Sequence, residues 1–259
     1  MSSTDFTNKP TNSPNIVDNQ VAVVTGGGQG IGAAFAKHLA GLGYTVVVLD
    51  VNSEKAGAVA ASLQGASTSF QVDITDERAV ATCRDRTLER FGRVDVLVNC
   101  AAIFSTIQMS NYDEISIADW DKVMSVNVAG TFLCCREFSQ PMKGAERGRI
   151  VNMSSGTVYK GHPHYLHYVA SKAAIIGLTR ALSKELGEFG VTVNALAPGS
   201  TETEVPRRPV NVEAVLASQA IKRRQKPDDL FSALTFLTDP ASSFVTGQTI
   251  IVDGGASFT

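Results

Sequence analysis

The chain alternates between short, almost wholly apolar runs and longer segments in which apolar residues return at helical spacing. Apolar runs without polar alternation, such as VAVVT and TVVVL, are typical of strands buried on both faces of a parallel sheet. Strands are predicted at 21–25, 45–49, 69–72, 94–98, 149–153, 191–196 and 249–252. Helices are predicted at 31–42, 53–64, 76–91, 119–144, 165–189 and 227–238.

The regular alternation of strands and helices predicts the fold class. Such a chain forms a parallel sheet with right-handed crossovers, so we predict an α/β fold: a single Rossmann-type, doubly wound parallel sheet flanked by helices. Residues 20–259 are predicted to form one domain, in which residues 200–226 are a mobile loop. Residues 1–19 are rich in Ser, Thr, Asn and Pro and are predicted to be a disordered leader.

Composition then narrows the class of protein. Of 259 residues, 44% are hydrophobic and 19% are charged, which supplies a sizeable core and too little charge for a disordered chain. The net charge of −2 gives no basic surplus for binding nucleic acid or an anionic membrane. The sequence contains no recognisable signal peptide or membrane span, and its cysteines lack metal-ligand spacing, so we expect a cytoplasmic enzyme with reduced thiols.

A glycine-rich turn separates the first predicted strand from the first helix. Gly26, Gly30 and Gly32 follow the strand with the spacing G-x-x-x-G-x-G. Missing side chains let the backbone approach a pyrophosphate, and the helix that follows presents free N–H groups and the positive end of its dipole to that anion. The turn therefore predicts a dinucleotide-binding site.

The end of the second strand indicates which dinucleotide binds. A carboxylate in the position of Asp50 accepts hydrogen bonds from the adenosine ribose hydroxyls and repels a 2′-phosphate. A site for NADP would place Arg or Lys nearby, and neither residues 27–29 nor Val51 and Asn52 are basic. NAD is therefore predicted in preference to NADP.

A tyrosine and a lysine one helical turn apart form the candidate catalytic pair. Tyr168 and Lys172 are spaced i, i+4 in the helix predicted at 165–189, so they share one face. A phenol with its usual pKa of about 10 is a poor base at neutral pH, and the nearby ammonium group is expected to lower that pKa. Ser155 directly follows the fifth strand, where its hydroxyl can donate to the same substrate oxygen.

A series of motifs in the same order resembles the single-domain group of the short-chain dehydrogenase/reductase family, over residues 20–255. The motifs are TGGGQGIG (25–32), VDIT (72–75), NCAA (99–102), VMSVNVAG (123–130), IVNMSSG (150–156), YVASK (168–172), Pro198-Gly199 with Thr201 and Thr203, and TGQTIIVDGG (246–255). One motif departs from the family pattern: Cys100 and Ala102 stand where N-N-A-G has its second Asn and its Gly, while Asn99 is retained.

The resemblance implies the roles of individual residues. The implied catalytic residues are Asn127, Ser155, Tyr168 and Lys172, of which Ser155 and Tyr168 contact the substrate. The implied NAD-binding residues are Gly26, Gln29, Gly30, Ile31, Gly32, Asp50, Asp73, Ile74, Asn99, Ala101, Tyr168, Lys172, Pro198, Gly199, Thr201 and Thr203. Among these, Asp73 is expected to meet the adenine, and the loop from Pro198 to Thr203 is expected to hold the carboxamide and phosphate groups.

The resemblance also implies a reaction, the reversible transfer of a hydride between NAD and a carbinol carbon (EC 1.1.1 type). Ser155 is expected to hold the substrate oxygen while Tyr168 removes or returns its proton. Lys172 is expected to hold the nicotinamide ribose and tune Tyr168, and Asn127 to position a water that links Lys172 to solvent. The implied assembly is a homotetramer, or a homodimer.

Several substrate classes stay open. Ile103, Phe104, Val158 and Tyr165 near the site favour a secondary alcohol or its ketone that is small and apolar, cyclic or aromatic. The alternative is NAD-dependent oxidation of a primary alcohol, a sugar or a cis-diol. Outside enzymes, the alternative is a dinucleotide-binding regulator that has lost turnover, and the intact catalytic set argues against it.

Three histidines in the run HPHYLHY raise the question of a metal site. His162, His164 and His167 have no acidic or cysteine partner nearby in sequence, and the implied reaction needs no metal. No metal is therefore predicted, and the run is interpreted as part of the substrate entrance.

Overall fold

The computed structural model describes residues 19–206 and 210–258 of the chain, so the predicted leader lies outside the described residues except for Asn19. Seven strands in the described ranges form one sheet. They are β1 (Val21–Thr25), β2 (Thr45–Asp50), β3 (Thr68–Gln71), β4 (Val96–Asn99), β5 (Gly148–Met153), β6 (Val191–Pro198) and β7 (Thr249–Val252). The strand predictions are confirmed to within a few residues at each end.

The sheet has the order β3-β2-β1-β4-β5-β6-β7, and every neighbouring pair is parallel. The chain runs outward from β1 to β3, returns across the sheet to β4, and then runs outward to β7. The predicted fold class, a Rossmann-type doubly wound parallel sheet, is confirmed. In such sheets ligands bind beyond the carboxyl ends of the strands where the order reverses, which here are β1 and β4.

Helices connect the strands. In the described ranges they are α1 (Gly30–Gly41), α2 (Ser53–Ser62), α3 (Glu77–Phe91), α4 (Ile117–Met124), α5 (Thr131–Gly144), α6 (Thr157–Lys160), α7 (Leu166–Leu186), α8 (Val212–Ser218) and α9 (Phe231–Thr238). None of these helices is long and apolar enough to cross a bilayer.

Two apolar cores lie on opposite faces of the sheet because side chains alternate along each strand. On one face, Val24 packs in a cluster with Phe35 of α1 and Leu234 of α9. On the other face, Val23 packs in a cluster with Phe138 of α5. Since neither face meets water, the central strands are mostly apolar and do not alternate with polar residues as half-exposed strands do, which is why the sequence pattern located them.

The helix predicted at 119–144 is interrupted. A π-helical turn, Ser125–Gly130, separates α4 from α5 and contains Asn127. A π-helical turn replaces the usual i→i+4 bonds by i→i+5 bonds, and such turns occur frequently at functional sites. The sequence predicted a mostly helical segment at 119–144 and did not locate this turn within it.

The segment 200–226, predicted as a loop, contains regular structure. Residues 207–209 lie outside the described residues, but Asn211 caps the N-terminus of α8 by accepting from the Ala214 N–H at 3.0 Å. Lys222 donates to backbone carbonyls at the C-terminus of the same helix. A β-bridge between Thr201 and Gln225 joins the two ends of the segment. The short helix α8 was missed because few of its side chains are buried.

Candidate active site

The predicted catalytic and cofactor-binding residues gather at the carboxyl edge of the sheet. β1 ends at Thr25 and leads into the glycine-rich turn, β4 ends at Asn99, and Ser155 follows β5. Since parallel strands end at the same edge, residues far apart in sequence meet there. The edge lies at the point where the strand order reverses.

The glycine-rich turn, residues 26–32, is too tightly closed at Gly26 and Gly32 to hold a side chain at either position. A Cβ added at Gly32 would lie 2.2 Å from the carbonyl oxygen of Gly26. A Cβ added at Gly26, whose φ is +62°, would lie 2.6 Å from the Cα of Ala101. Both distances are far below van der Waals contact, so only glycine fits. The result is a bare backbone surface at the N-terminus of α1, which suits a pyrophosphate.

An acidic side chain stands at that N-terminus. The Gln29 side chain makes no capping hydrogen bond to α1, and the Gly30 N–H donates to Glu204 Oε1 at 2.7 Å. Thr203 lies beside it, with Oγ1 4.0 Å from the position of a Cβ built on Gly30. The Gly30 N–H group, at the positive end of the helix dipole, therefore already binds a carboxylate. A pyrophosphate-binding site needs the same ability to bind an anion.

Two backbone bonds hold the Asp50 carboxylate against the glycine-rich turn. The Gly28 N–H donates to Oδ2 at 3.0 Å, and the Asn52 N–H donates to Oδ1 at 2.9 Å. The carboxylate therefore lies at the outer edge of the turn, in a position compatible with a ribose contact.

A basic side chain that the sequence analysis missed lies at the same edge. Lys55, in the first turn of α2, donates from Nζ to Gln29 Oε1 at 2.6 Å. The positions directly around the turn carry no basic residue, and the fold brings Lys55 there from the following helix. Because an ammonium group also binds phosphate, Lys55 weakens the sequence argument against NADP.

The helix α7 presents the catalytic pair to the sheet. Tyr168 is 7% exposed and Lys172 is 4% exposed. Lys172 Nζ donates to the carbonyl oxygen of Met153 at 2.8 Å and lies 5.8 Å from the centroid of the Tyr168 ring. The Ser155 hydroxyl lies near enough to the phenol to oppose the rise in its pKa. The serine, the phenol and the ammonium group that the sequence predicted to act together are therefore neighbours.

The pKa values of the pair differ from the expectation. Burial raises the pKa of Tyr168 to about 12, although the hydrogen bond from Ser155 opposes the rise. Burial also lowers the pKa of Lys172 to about 8. The prediction of a lowered pKa for the phenol is wrong for this structure, because the loss of water around Tyr168 outweighs the opposing effect of Ser155.

Asn127 is fully buried, and its side chain joins the loop after β4 to α7. Its Oδ1 accepts from the Ile103 N–H at 2.8 Å, while Nδ2 donates to the Ile103 carbonyl at 3.2 Å and to Ser171 Oγ at 3.0 Å. Ser171 in turn donates to the carbonyl oxygen of Tyr168 at 2.7 Å. The amide of Asn127 is used for these contacts, and its role in holding a water stays a prediction.

The two consecutive serines after β5 point in different directions. Ser154 Oγ donates to the carbonyl oxygen of Lys172 at 2.9 Å and so fixes the helix backbone. Ser155 Oγ faces the phenol and also accepts from Thr157, from the backbone N–H at 3.2 Å and from Oγ1 at 2.9 Å. Ser155 is therefore the serine placed to act on a substrate.

Asp73 lies at the same edge, where β3 has ended. Its Oδ1 accepts from the Thr75 N–H at 2.9 Å and from Thr75 Oγ1 at 2.7 Å. The adjacent Ile74 side chain is buried in the core beneath α5. Of this motif, the Asp73 side chain and the backbone are the groups available to an adenine.

Two of the predicted cofactor residues use their side chains elsewhere. Asn99 Nδ2 donates to Asn152 Oδ1 at 2.8 Å inside the sheet. Thr201 Oγ1 donates to Gln225 Oε1 at 3.1 Å and is buried. For Asn99, Oδ1 is the one side-chain group left without a partner among the described residues.

Aromatic rings form one wall of the space around the phenol. The Phe104 ring lies 4.8 Å from the Tyr168 ring and 6.1 Å from the Tyr165 ring, centroid to centroid. His162 packs edge-on against Tyr165 at 5.4 Å. A substrate oxygen at Ser155 and Tyr168 would therefore be attached to an apolar body that contacts these rings.

The histidine run and the cysteines hold no cluster of metal ligands. In the described parts of the chain, no three His, Cys, Asp or Glu side chains are grouped so that they could hold a metal ion. The four cysteines are free thiols. Burial raises the pKa of Cys100, the departure from the N-N-A-G motif, to about 12, which keeps this thiol protonated.

Three residues of the site, Lys55, Thr157 and Glu204, were not found from the sequence. Glu204 contacts a residue far away in the chain, and no local pattern reports such a contact. Lys55 follows Asp50 within a helical turn, so extending the search for basic residues into α2 would have found it. Thr157 lies two residues after Ser155. A hydroxyl at that position indicates a site residue only once Ser155 has been identified as one.

Comparison with known proteins places the chain among oxidoreductases. A family profile described as enoyl-(acyl carrier protein) reductase matches residues 26–257. The cis-4-hydroxycyclohexanecarboxylate dehydrogenase of Sinomonas cyclohexanicum is 39% identical over 241 residues, which cover 91% of this chain and 96% of that enzyme.

Solved structures agree in fold and differ in the cofactor they contain. The 3-ketoacyl-(acyl-carrier-protein) reductase of Brucella melitensis, complexed with NADH, aligns with a TM-score of 0.87 and 32% identity, covering 93% of this chain and 99% of that one. A short chain dehydrogenase of Burkholderia cenocepacia, in complex with NADP, aligns with a TM-score of 0.85 and 33% identity, again covering 93% and 99%.

Proposed function

The chain belongs to the short-chain dehydrogenase/reductase family of oxidoreductases, and on this premise we propose that it uses NAD to interconvert a secondary alcohol and its ketone. The observation that carries the proposal is the grouping of Ser155, Tyr168 and Lys172 at the carboxyl edge of the sheet. A hydroxyl donor, a phenol and an ammonium group are the groups that proton exchange at a substrate oxygen requires.

The residues at the glycine-rich turn fit a nicotinamide dinucleotide. The turn has no room for a side chain at Gly26 or Gly32, and the N-terminus of α1 already binds a carboxylate. The pyrophosphate is assigned to this N-terminus, the adenosine ribose to Asp50 and the adenine to Asp73. When bound, NAD accepts the hydride during alcohol oxidation and NADH supplies it during ketone reduction. Asp50 supports NAD, whereas Lys55 and the NADP complex of a relative favour some use of NADP.

The proton chemistry is assigned to the chain's own side chains. Ser155 donates a hydrogen bond to the substrate oxygen and holds it beside the phenol. Tyr168 takes the hydroxyl proton during oxidation and returns it during reduction. The Lys172 Nζ donates to the Met153 carbonyl oxygen. Its ammonium group can release or take up the proton that the phenol exchanges with the substrate. The contacts of Asn127 with Ile103 and Ser171 hold the helix and the loop in register, so that these groups stay aligned.

The proposed substrate is small and apolar, cyclic or aromatic. The rings of Phe104 and Tyr165 beside the phenol support this choice, as does a relative whose name states a hydroxycyclohexane substrate. A primary alcohol, a sugar or a cis-diol is the second candidate class, supported by the polar His162 at the rim of the aromatic wall.

A substrate panel tests the proposal. Purified protein is mixed with NAD or NADP and with cyclic, benzylic, primary, sugar and cis-diol substrates, and the reduced cofactor is followed by its absorbance. We expect the highest kcat/KM with a cyclic or benzylic secondary alcohol and NAD. If only sugars or diols were turned over, the substrate would instead belong to the second candidate class, which comprises primary alcohols, sugars and cis-diols. Binding of NADH with no turnover of any alcohol or ketone would support a dinucleotide-binding regulator instead.

The proposal includes the organisation of the protein. Residues 20–259 act as one catalytic domain in the cytoplasm, and the chain assembles as a homotetramer. Phe132 on α5 and Leu166 at the start of α7 are large apolar side chains left exposed in one chain, which supports an interface on these helices. Light scattering of the purified protein measures the assembly, and a monomer at working concentrations would contradict it.

The buried pair of Tyr168 and Lys172 is expected to make oxidation faster, and reduction slower, as the pH rises. The first proton to leave the pair does so near pH 8, the lowered pKa of Lys172. Oxidation requires the pair to accept a proton, so its kcat/KM rises with pH up to about 8 and then levels off, while reduction falls above that pH. Rates measured in both directions across this range check the prediction, and oxidation that is equally fast at acidic pH would contradict it.

Glu204 is expected to compete with the cofactor pyrophosphate for the Gly30 N–H. Replacing its carboxylate in Glu204→Gln should lower the Kd for NADH by about 2- to 5-fold, since an anion at a helix N-terminus is stabilised by roughly 0.3–1 kcal/mol. Titration by NADH fluorescence measures the effect. The matched control is Glu202→Gln, which removes an exposed carboxylate from the same segment and should leave the Kd unchanged. An equal change in both variants would indicate general charge repulsion.

A further inference from the structure

The Ser155 hydroxyl is held by more bonds than its contact with Tyr168 requires. A serine hydroxyl has one hydrogen to donate and two lone pairs with which to accept. The backbone nitrogen and Oγ1 of Thr157 lie 3.2 Å and 2.9 Å from Ser155 Oγ. The phenol of Tyr168 is near enough for the same hydroxyl to lower its pKa. These three contacts match the full capacity of the hydroxyl.

The direction of each bond follows from the donors available. The Thr157 N–H can only donate, so it uses one lone pair of Ser155 Oγ. A phenolate at Tyr168 has no hydrogen, so in that form the Ser155 hydrogen must point to the phenol oxygen. The remaining bond then runs from Thr157 Oγ1 to the second lone pair of Ser155. When Tyr168 is a phenolate, every group in the chain Thr157–Ser155–Tyr168 therefore has one assigned direction.

Local structure holds Thr157 in place for this contact. Thr157 begins the short helix α6, and its carbonyl oxygen accepts from the N–H of Gly161 at the end of that helix. The Val158 N–H donates to the carbonyl oxygen of Ser155 at 3.2 Å. The backbone from Ser155 to Gly161 is thus a closed turn, and the Thr157 side chain is half-buried within it. The turn holds Thr157 Oγ1 within 2.9 Å of Ser155 Oγ.

We propose that Thr157 is a positioning residue that commits Ser155 to donate its hydrogen toward the reacting oxygen. The inference rests on the proposed function and names one more residue that the same site needs. With both lone pairs occupied, the Ser155 hydroxyl cannot turn its hydrogen away, and a hydroxyl that accepts bonds becomes a stronger donor. A preset donor stabilises the negative charge that develops on the substrate oxygen without reorganisation during the reaction.

The first test compares two substitutions at one position. Thr157→Val keeps the shape of the side chain and removes its donor, whereas Thr157→Ser keeps the donor and removes a methyl group. We expect Thr157→Val to lower kcat by about 10-fold, the effect of one lost hydrogen bond near a charged group, with KM for the alcohol and Kd for NADH within about 2-fold of wild type. Thr157→Ser should retain most of the wild-type kcat.

A double-mutant cycle asks whether Thr157 acts through Ser155. In the background of Ser155→Ala, adding Thr157→Val should produce no further loss in kcat, because the hydroxyl it positions is gone. The inference is overturned if Thr157→Val lowers kcat by the same factor with and without Ser155. It is also overturned if Thr157→Val has wild-type kcat, or if Thr157→Ser is as impaired as Thr157→Val. Thermal unfolding of each variant separates these outcomes from a folding defect.

A structural readout keeps the inference testable if the enzyme assay fails. If wild-type protein oxidises no alcohol and reduces no ketone, the proposed function is wrong, and crystal structures then decide on Thr157. We expect a single Ser155 rotamer facing Tyr168 in the wild type and in Thr157→Ser, and a rotated or doubly populated Ser155 in Thr157→Val. An unchanged Ser155 rotamer in Thr157→Val would overturn the positioning role.

Discussion

Replacing Tyr168 with phenylalanine lowers kcat in both directions by about 10²–10⁴-fold, the usual contribution of a positioned general acid–base group. The substitution removes one oxygen from a buried ring whose packing against Phe104 is retained. Ser155 loses a partner but keeps its bonds to Thr157, so the pocket stays intact. Rates with the best substrate of the panel, and the Kd of NADH by fluorescence, measure the two effects separately.

The matched control for this prediction is Tyr112→Phe, which removes a phenol oxygen from a ring that is 77% exposed. It should have wild-type kcat and Kd. If Tyr168→Phe retained more than about a tenth of wild-type kcat, another group would be moving the proton. If it lost NADH binding as well, the phenol would also contribute to the cofactor site.

The second large effect concerns the choice of cofactor. Asp50→Asn removes the negative charge at the ribose site and keeps one oxygen that can accept from Gly28 or Asn52. A hydrogen bond to a charged group contributes roughly 1.5–3 kcal/mol, so we expect kcat/KM with NAD to fall by about 10- to 150-fold. At the same time kcat/KM with NADP should rise, because the repulsion of a 2′-phosphate is gone and the Lys55 ammonium group is left nearby.

The Lys55→Gln variant tests the effect of the Lys55 charge on cofactor choice independently of the Asp50 charge. It should weaken the use of NADP and leave the use of NAD unchanged, since the Lys55 ammonium group contacts Gln29 rather than Asp50. Initial rates with both cofactors, for wild type and both variants, complete the comparison. A wild-type enzyme that prefers NADP, or an Asp50→Asn variant with unchanged preference, would contradict the assignment of Asp50.

The fold was largely predictable because its central strands are buried on both faces. The run 21–25 is apolar at every position up to Thr25, and the strand order follows from the alternation with helices. The glycine-rich turn was predictable for a related reason: contacts of 2.2 Å and 2.6 Å exclude every side chain but hydrogen, so the sequence must carry glycine there.

Other features depend on contacts that leave no local pattern. The hydrogen bond between Glu204 and Gly30 joins two parts of the chain that are far apart in sequence, and no motif near Glu204 indicates it. The π-helical turn at Ser125–Gly130 has the same apolar spacing as an ordinary helix. The pKa of Tyr168 was predicted with the wrong sign because spacing reveals a neighbouring charge, while burial is known only from the packed structure.

The bond between Asn99 and Asn152 continues to α7, where Asn152 Nδ2 donates to Thr179 Oγ1 at 3.0 Å. Apolar packing alone would tolerate a small shift of the helix along its axis, because apolar contacts are not directional. Directional bonds between buried amides and a hydroxyl are satisfied in one alignment only. The sheet thus fixes the position of α7 along its axis, about three helical turns from Tyr168, and with it the distance over which Tyr168 passes its proton.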